Sequence, residues 1–169
     1  MQLARLAGAR QVLATVSGEA KARLAREAGA DAVVNYLAPD AAAQLRAATD
    51  GQGAERIIEV DLAANLPLDL DVIAPDGEVL VYGSGRREIP VPFGPLILKN
   101  VALRFYIVYN LAPDVRARWI AGLTSLLEDG RLVHNIAERL PLPRIAEAHR
   151  LVEEGRATGN VVLAVDGAA

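Results

Sequence analysis

The sequence predicts an α/β domain, doubly wound, with a mostly parallel sheet. Two observations carry this. Short runs rich in Val and Ile alternate with segments of helical period, the pattern of βαβ units. The hydrophobic share is 52% while aromatics make up only 4%, so the core must be built from Ala, Val, Leu and Ile. Such a core suits parallel strands covered on both faces. The 169 residues are enough for one domain with a core. No repeat, low-complexity linker or clear boundary divides them.

The elements follow in order. Gln2 to Ala9 reads as the body of a helix ending at Gly8, and Val12 to Ser17 as a strand. Ser17 can cap the next helix, whose inner face would be Ala20, Leu24, Ala25 and Ala28, with Gly29 as its stop. Ala32 to Tyr36 is a strand. Asp40 caps a helix through Ala43, Leu45 and Ala48, which ends near Gly51 and Gly53. A strand over Arg56 to Asp61 leads to a helix from Ala63 to Ala74. Leu66, Leu70 and Ile73 would face inward there, with Pro67 near the start, where a missing N–H is tolerated. Pro75 to Gly77 is a turn, Glu78 to Tyr82 a strand, and Gly83-Ser84-Gly85 its C-terminal turn. Pro90, Pro92 and Pro95 break up the next stretch. Val101 to Tyr109 reads as one long apolar strand. Pro113 opens a helix patterned on Trp119, Ile120, Leu123, Leu126 and Leu127 and closed by Gly130. The tail reads as strand Leu132 to Leu140, helix Arg144 to Glu154, and strand Asn160 to Val165.

Composition narrows the function. The net charge is −3, and 18 basic residues are scattered among 21 acids. No basic stripe supports nucleic acid binding. Without Cys, disulfides and thiolate metal sites are excluded. No apolar run nears the roughly 20 residues of a membrane span, and no secretory signal pattern opens the chain. A cytoplasmic location is the expectation.

From Leu13 the run LATVSGEAKARLAREAGADAVVNY resembles the second strand, helix and third strand of medium-chain dehydrogenases/reductases of the quinone oxidoreductase (zeta-crystallin-like) branch. The likeness continues through GAERIIEV, LDVIAPDGEVLVYGSG, LILKNVALRFYIVYNL and IAEAHRLVEEGRATGNVVLAV. It implies a Rossmann-like cofactor domain over residues 1–169, with 131–169 including the segment that returns to a GroES-like catalytic domain. That catalytic domain is not in the sequence. Nor are the strand and Gly-rich turn that normally precede the first helix and cradle a pyrophosphate. In a sheet ordered 3-2-1-4-5-6 the strand not found is the central one.

The resemblance and the residues together mark a cofactor site. A carboxylate at the tip of the second strand would hydrogen-bond an adenosine ribose and repel a 2′-phosphate. This strand ends Thr15-Val16-Ser17 instead, with Lys21 one helical turn on. The resemblance assigns Ser17 and Lys21 to the 2′-phosphate of NADP(H). A capping serine and a solvated lysine neutralised by Glu19 are the alternative. Tyr36 ends a strand at the edge where ligands sit; its ring would lie by the adenine, or be a half-wet strand end. Gly83, Ser84 and Gly85 permit close backbone approach to a ribose or nicotinamide, or make an ordinary turn. Val60 and Asp61 are weaker candidates, and Asp61 also suits the cap of the next helix. By resemblance Phe105, Tyr106 and Ile107 pass the nicotinamide and build a homodimer seam along the Val101 to Tyr109 strand; plain core is the alternative. Asn160 matches a position that contacts cofactor phosphate. His134 lies in a strand without an acid partner, and His149 is expected to be half-buried. Neither is a catalyst, and no metal site is expected.

The implied function is the cofactor-binding part of an NADPH-dependent, zinc-independent oxidoreductase. It would act on quinones or α,β-unsaturated carbonyls by hydride transfer and be inactive alone. A non-catalytic, dimerising interaction module is the alternative.

Overall fold

The computed structural model describes residues 1–165. It divides into two compact units, Met1–Val33 with Ser125 onward, and Val34–Thr124.

The first unit opens with α1 (Gln2–Leu6) and β1 (Leu13–Val16), followed by α2 (Glu19–Glu27). Arg5 pairs with Asp31, whose carboxylate also accepts the Val12 N–H at 2.7 Å. The backbone hydrogen bond, then the Arg5 guanidinium, hold the Asp31 carboxyl below its usual range. Val16, Ala22 and Ala25 form a small core. The inner face of α2 is therefore turned from expectation: Ala22 is buried and Ala20 exposed. The helix starts after Gly18, and Ser17 makes no capping bond. Gly29 stops it at φ +93°, a backbone conformation that side chains resist. Strand β2 (Ala32–Asn35) pairs with β1. The tail supplies parallel strands β6 (Ile136–Pro141) and β7 (Asn160–Ala164), joined through α7 (Ile145–Glu153). Strand β6 begins later than expected, so His134 lies in an irregular exposed stretch. His149 is exposed too, while its neighbour Ala148 is buried.

The second unit holds α3 (Ala41–Ala48), β3 (Ala54–Glu59), α4 (Leu62–Val72), β4 (Ile73–Val81), α5 (Phe93–Leu98) and β5 (Ala102–Phe105). Asp40 precedes α3 but accepts from the Gln44 amide instead of capping the backbone. Ala41 and Leu45 are buried in α3, and Ala43 is exposed. Strands β3, β4 and β5 form a parallel sheet in that order, as three consecutive outer strands of the expected sheet would. Leu62, Leu66, Ile73, Val79 and Val81 make its core. Helix α4 ends two residues earlier than expected, so Ile73 is buried from β4, and Pro67 stands in the second turn. The Lys99 ammonium donates to the Leu70 and Ile73 carbonyls at 2.6 and 3.0 Å, closing the end of α4. The Pro75-Asp76-Gly77 turn sits inside β4 as a bulge, with Asp76 at φ +58°. Glu78 on β4 meets Arg104 at 2.8 Å and Arg56 at 3.4 Å, spanning all three strands. The proline-rich stretch still forms one short helix, α5, with Pro95 in its first turn.

The long strand expected over Val101 to Tyr109 is cut short. Its partner, β4, ends at Val81, so the ladder stops at Phe105. One further bond, Tyr106 N–H to the Val81 carbonyl at 3.1 Å, carries the chain to a 3-10 turn over Val108–Asn110. Helix α6 (Pro113–Glu128) links the two units in sequence. Trp119 and Ile120 on it are exposed, at 65% and 53%.

Candidate functional site

The tip of β1 brings Ser17 and Lys21 together. With no capping role, the Ser17 hydroxyl accepts a hydrogen bond from the Lys21 ammonium at 3.0 Å. Glu19, the nearest acid in sequence, is engaged elsewhere, by Arg26 at 2.9 Å. Lys21 has no ion pair among the described residues. An exposed hydroxyl and an ammonium thus stand side by side at a strand's C-terminal end, a pair able to bind one phosphate group.

A second cluster lies in the other unit, at the C-terminal ends of β3, β4 and β5. Here the turn Gly83-Ser84-Gly85 is laced to the end of β3. Tyr82 N–H donates to the Glu59 carbonyl at 3.1 Å and Leu62 N–H to the Gly83 carbonyl at 3.3 Å. The Asp61 carboxylate accepts the Gly85 N–H at 2.7 Å. That bond replaces the helix-capping role expected of Asp61, which precedes α4 without capping it. Gly83 is dictated by close approach: a Cβ there would lie 2.2 Å from the Val60 carbonyl oxygen. Val60 itself is 57% exposed.

Between this turn and the Phe105-Tyr106-Ile107 segment lies a cavity of about 630 Å³. Its volume falls within the range of roughly 300–1,000 Å³ typical of small-molecule sites. Gly83, Ser84, Phe105, Tyr106 and Ile107 all line it. The rings of Tyr82 and Tyr106 meet at 6.0 Å with a 41° tilt, an edge-inclined aromatic pair. Phe105, Tyr106 and Ile107 are exposed by 44–63%, which removes plain core, the alternative reading for them.

Tyr36 and Asn160 are not among the residues that line this cavity. Tyr36 follows β2 and is 46% exposed. Asn160 opens β7, and its amide donates to the carbonyl of Asn135, the residue before β6, at 3.3 Å.

Three groups escaped sequence reasoning. Arg86 and Arg87 line the cavity. Glu59 and Asp69 form a buried acid pair, each only 5% exposed. Glu59 Oε1 accepts the Asp61 N–H at 2.5 Å and the Asn65 amide at 2.9 Å. Asp69 lies beside it, and its Oδ2 has no hydrogen-bond partner. Burial first, then the adjacent Glu59 charge, push the Asp69 carboxyl up to about 7. The signal was present in α4: Asp69 follows Leu62 and Leu66 at helical spacing.

Known proteins share this sequence pattern and fold. The model of the zinc-binding dehydrogenase family matches residues 1–128. A quinone oxidoreductase of Pongo abelii is 30% identical over 113 residues, covering 66% of this chain and 34% of the relative. The chain thus spans about a third of the length of the curated relatives it matches. Among solved structures, an NAD-dependent alcohol dehydrogenase superposes with a TM-score of 0.85 at 32% identity, over 97% of this chain and 46% of the other. A mycobacterial quinone oxidoreductase gives 0.83 at 26% identity, over 97% and 51%. Matched from its first helix through α6, and Rossmann-like in fold, the chain belongs to the zinc-binding dehydrogenase family, on the quinone oxidoreductase branch of the medium-chain dehydrogenases/reductases.

Proposed function

We propose that this chain is the NADP(H)-binding part of a zinc-independent oxidoreductase that reduces quinones or α,β-unsaturated carbonyls. The observation that carries the cofactor choice is the Lys21–Ser17 contact at 3.0 Å, with Glu19 drawn off by Arg26. Such a pair favours a 2′-phosphate, where a carboxylate would repel it. NADPH supplies the hydride when bound. The chain's residues bind and orient: Ser17 and Lys21 hold the phosphate end. Gly83 and Ser84 let the backbone come close to the nicotinamide end, and Phe105 to Ile107 wall that space. Tyr36, Val60 and Asn160 are accessory contacts. No residue here serves as acid or base.

The family's description names zinc, but the residues present do not fit that metal. The chain has no Cys, and among the described residues no three His, Asp or Glu side chains are placed to hold an ion. Among the same residues, no helix is long and apolar enough to cross a membrane. We place the protein in the cytoplasm.

The test is titration of the 169-residue chain with NADP(H) and NAD(H). Preference for the phosphorylated cofactor should fall about tenfold or more in Lys21→Ala, since a charge-assisted contact is worth about 1.5–3 kcal/mol. Equal affinities, or an unchanged ratio in the variant, overturn the assignment. NADPH with a small quinone should give no turnover from these residues alone, because no Gly-rich phosphate turn occurs in them; turnover matching longer relatives defeats that part.

A second reading, a dimerising module without catalysis, draws on exposed apolar surface. Ile107, Val108 and Tyr109 are 50%, 51% and 86% exposed. Both readings include a homodimer built along the β5 segment.

A further inference from the structure

The Gly83 cavity holds an unexplained pair of charges. Arg86 and Arg87 line it beside Tyr82 and Tyr106. Neither guanidinium has a hydrogen bond or ion pair among the described residues; Arg86 is tied only through its backbone N–H, to the Ser84 hydroxyl at 3.1 Å. Three other arginines of this unit are engaged, Arg56 and Arg104 by Glu78 and Arg46 by the Asp71 carbonyl. Asp61, which touches the turn, is occupied by the Gly85 N–H, and Glu88, next to Arg87 in sequence, makes no ion pair among the described residues. The rest of the lining is largely apolar, including Val81, Ile89, Phe105 and Leu111. A ligand matching these walls has a flat or apolar body and an anionic head. Guanidinium forks fit carboxylates in two-point contact, and tilted aromatic rings fit a conjugated body.

We infer that this cavity selects an unsaturated carboxylate, so that Arg86 and Arg87 set substrate class by binding the acid group. The inference rests on the oxidoreductase reading and deepens it, since conjugated acids are a charged subset of α,β-unsaturated carbonyl compounds. It differs from the phosphate assignment, which belongs to Ser17 and Lys21.

Calorimetric titration of the full 169-residue chain with trans-cinnamate, its neutral amide cinnamamide, and inorganic phosphate tests it. Cinnamate should bind at least about tenfold tighter than cinnamamide, the scale of one charge-assisted contact. Phosphate should not displace it at equal concentration. In Arg86→Gln/Arg87→Gln the preference for the acid should vanish while cinnamamide binding stays unchanged. That constancy also shows the cavity intact. Equal binding of acid and amide, no binding of either, a preference that survives in the double variant, or displacement by phosphate each overturns the inference. The cofactor reading is judged separately by Lys21→Ala. Cinnamate discrimination without NADP(H) preference leaves the cavity assignment standing and removes the cofactor one. The reverse pattern does the opposite.

Discussion

Replacing Asp69 with Asn should abolish a pH dependence that this fold carries in its core. The Asp69 carboxyl is raised from an ordinary 3.8 to about 7, by burial and then by the charge of Glu59. Between about pH 4 and pH 7 the folded chain keeps a proton there that the unfolded chain has released. Stability must then fall as pH rises through that window, and level off above it. From pH 5 to pH 8 the loss amounts to at most about 3 kcal/mol, at about 1.4 kcal/mol per pH unit. Set against a typical total of about 5–15 kcal/mol, that is a large fraction. Asn is nearly the same shape, stays neutral, and can still donate to Glu59. The bare Oδ2 position is polar in both proteins, so its cost cancels. Urea unfolding followed by far-UV circular dichroism at pH 5, 6, 7 and 8 is the assay. Wild type should weaken from pH 5 to about pH 7 and level off by pH 8, while Asp69→Asn stays flat and becomes the more stable protein at pH 8. Parallel curves would refute the assignment of the proton to Asp69.

Other expectations are more local. Gly83→Ala should cost about 1–3 kcal/mol by overpacking, because its Cβ meets a backbone oxygen 2.2 Å away and no side chain can yield; an unchanged denaturation midpoint would show that the turn is not fixed against β3. Glu78→Ala should cost no more than about 1 kcal/mol, and less in high salt. Its own side chain is only 17% exposed, but both arginine partners are more than 70% exposed, and solvent screens such pairs. A loss independent of salt would point to packing instead. Light scattering during size exclusion should give a dimer at micromolar concentration, shifted toward monomer by Ile107→Asp; a monomeric wild type defeats the dimer proposal.

Much of the fold was legible because periodicity reports burial. The alternation of strand and helix, the Gly29 stop and the Pro113 start depend on local backbone chemistry. Failures came where a distant partner decided the outcome. Val101 to Tyr109 has strand-forming residues throughout, yet a strand extends only as far as its ladder. The end of β4 at Val81 could not be read from β5. In α4, attention to apolar positions selected Leu66, Leu70 and Ile73, whereas the buried stripe is Leu62, Leu66, Asp69 and Val72. An acid on that stripe looked like a break in the pattern, though it is part of the core. For the site, position in sequence located Ser17 and Lys21, but only the structure shows Glu19 turned to Arg26. Arg86 and Arg87 sit in a proline-rich loop without periodicity, so nothing in the sequence aimed them at a cavity.

Trp119, the sole tryptophan, stands 65% exposed on α6. Its indole is largely in water already, so unfolding should change its emission little. Tryptophan emission would then report little of the loss of the fold, which is why circular dichroism suits the pH experiment. The same exposure makes Trp119 a sensitive optical reporter of docking. Anything that settles on this face of α6 must dry the ring, and a blue shift in emission would announce it without any label.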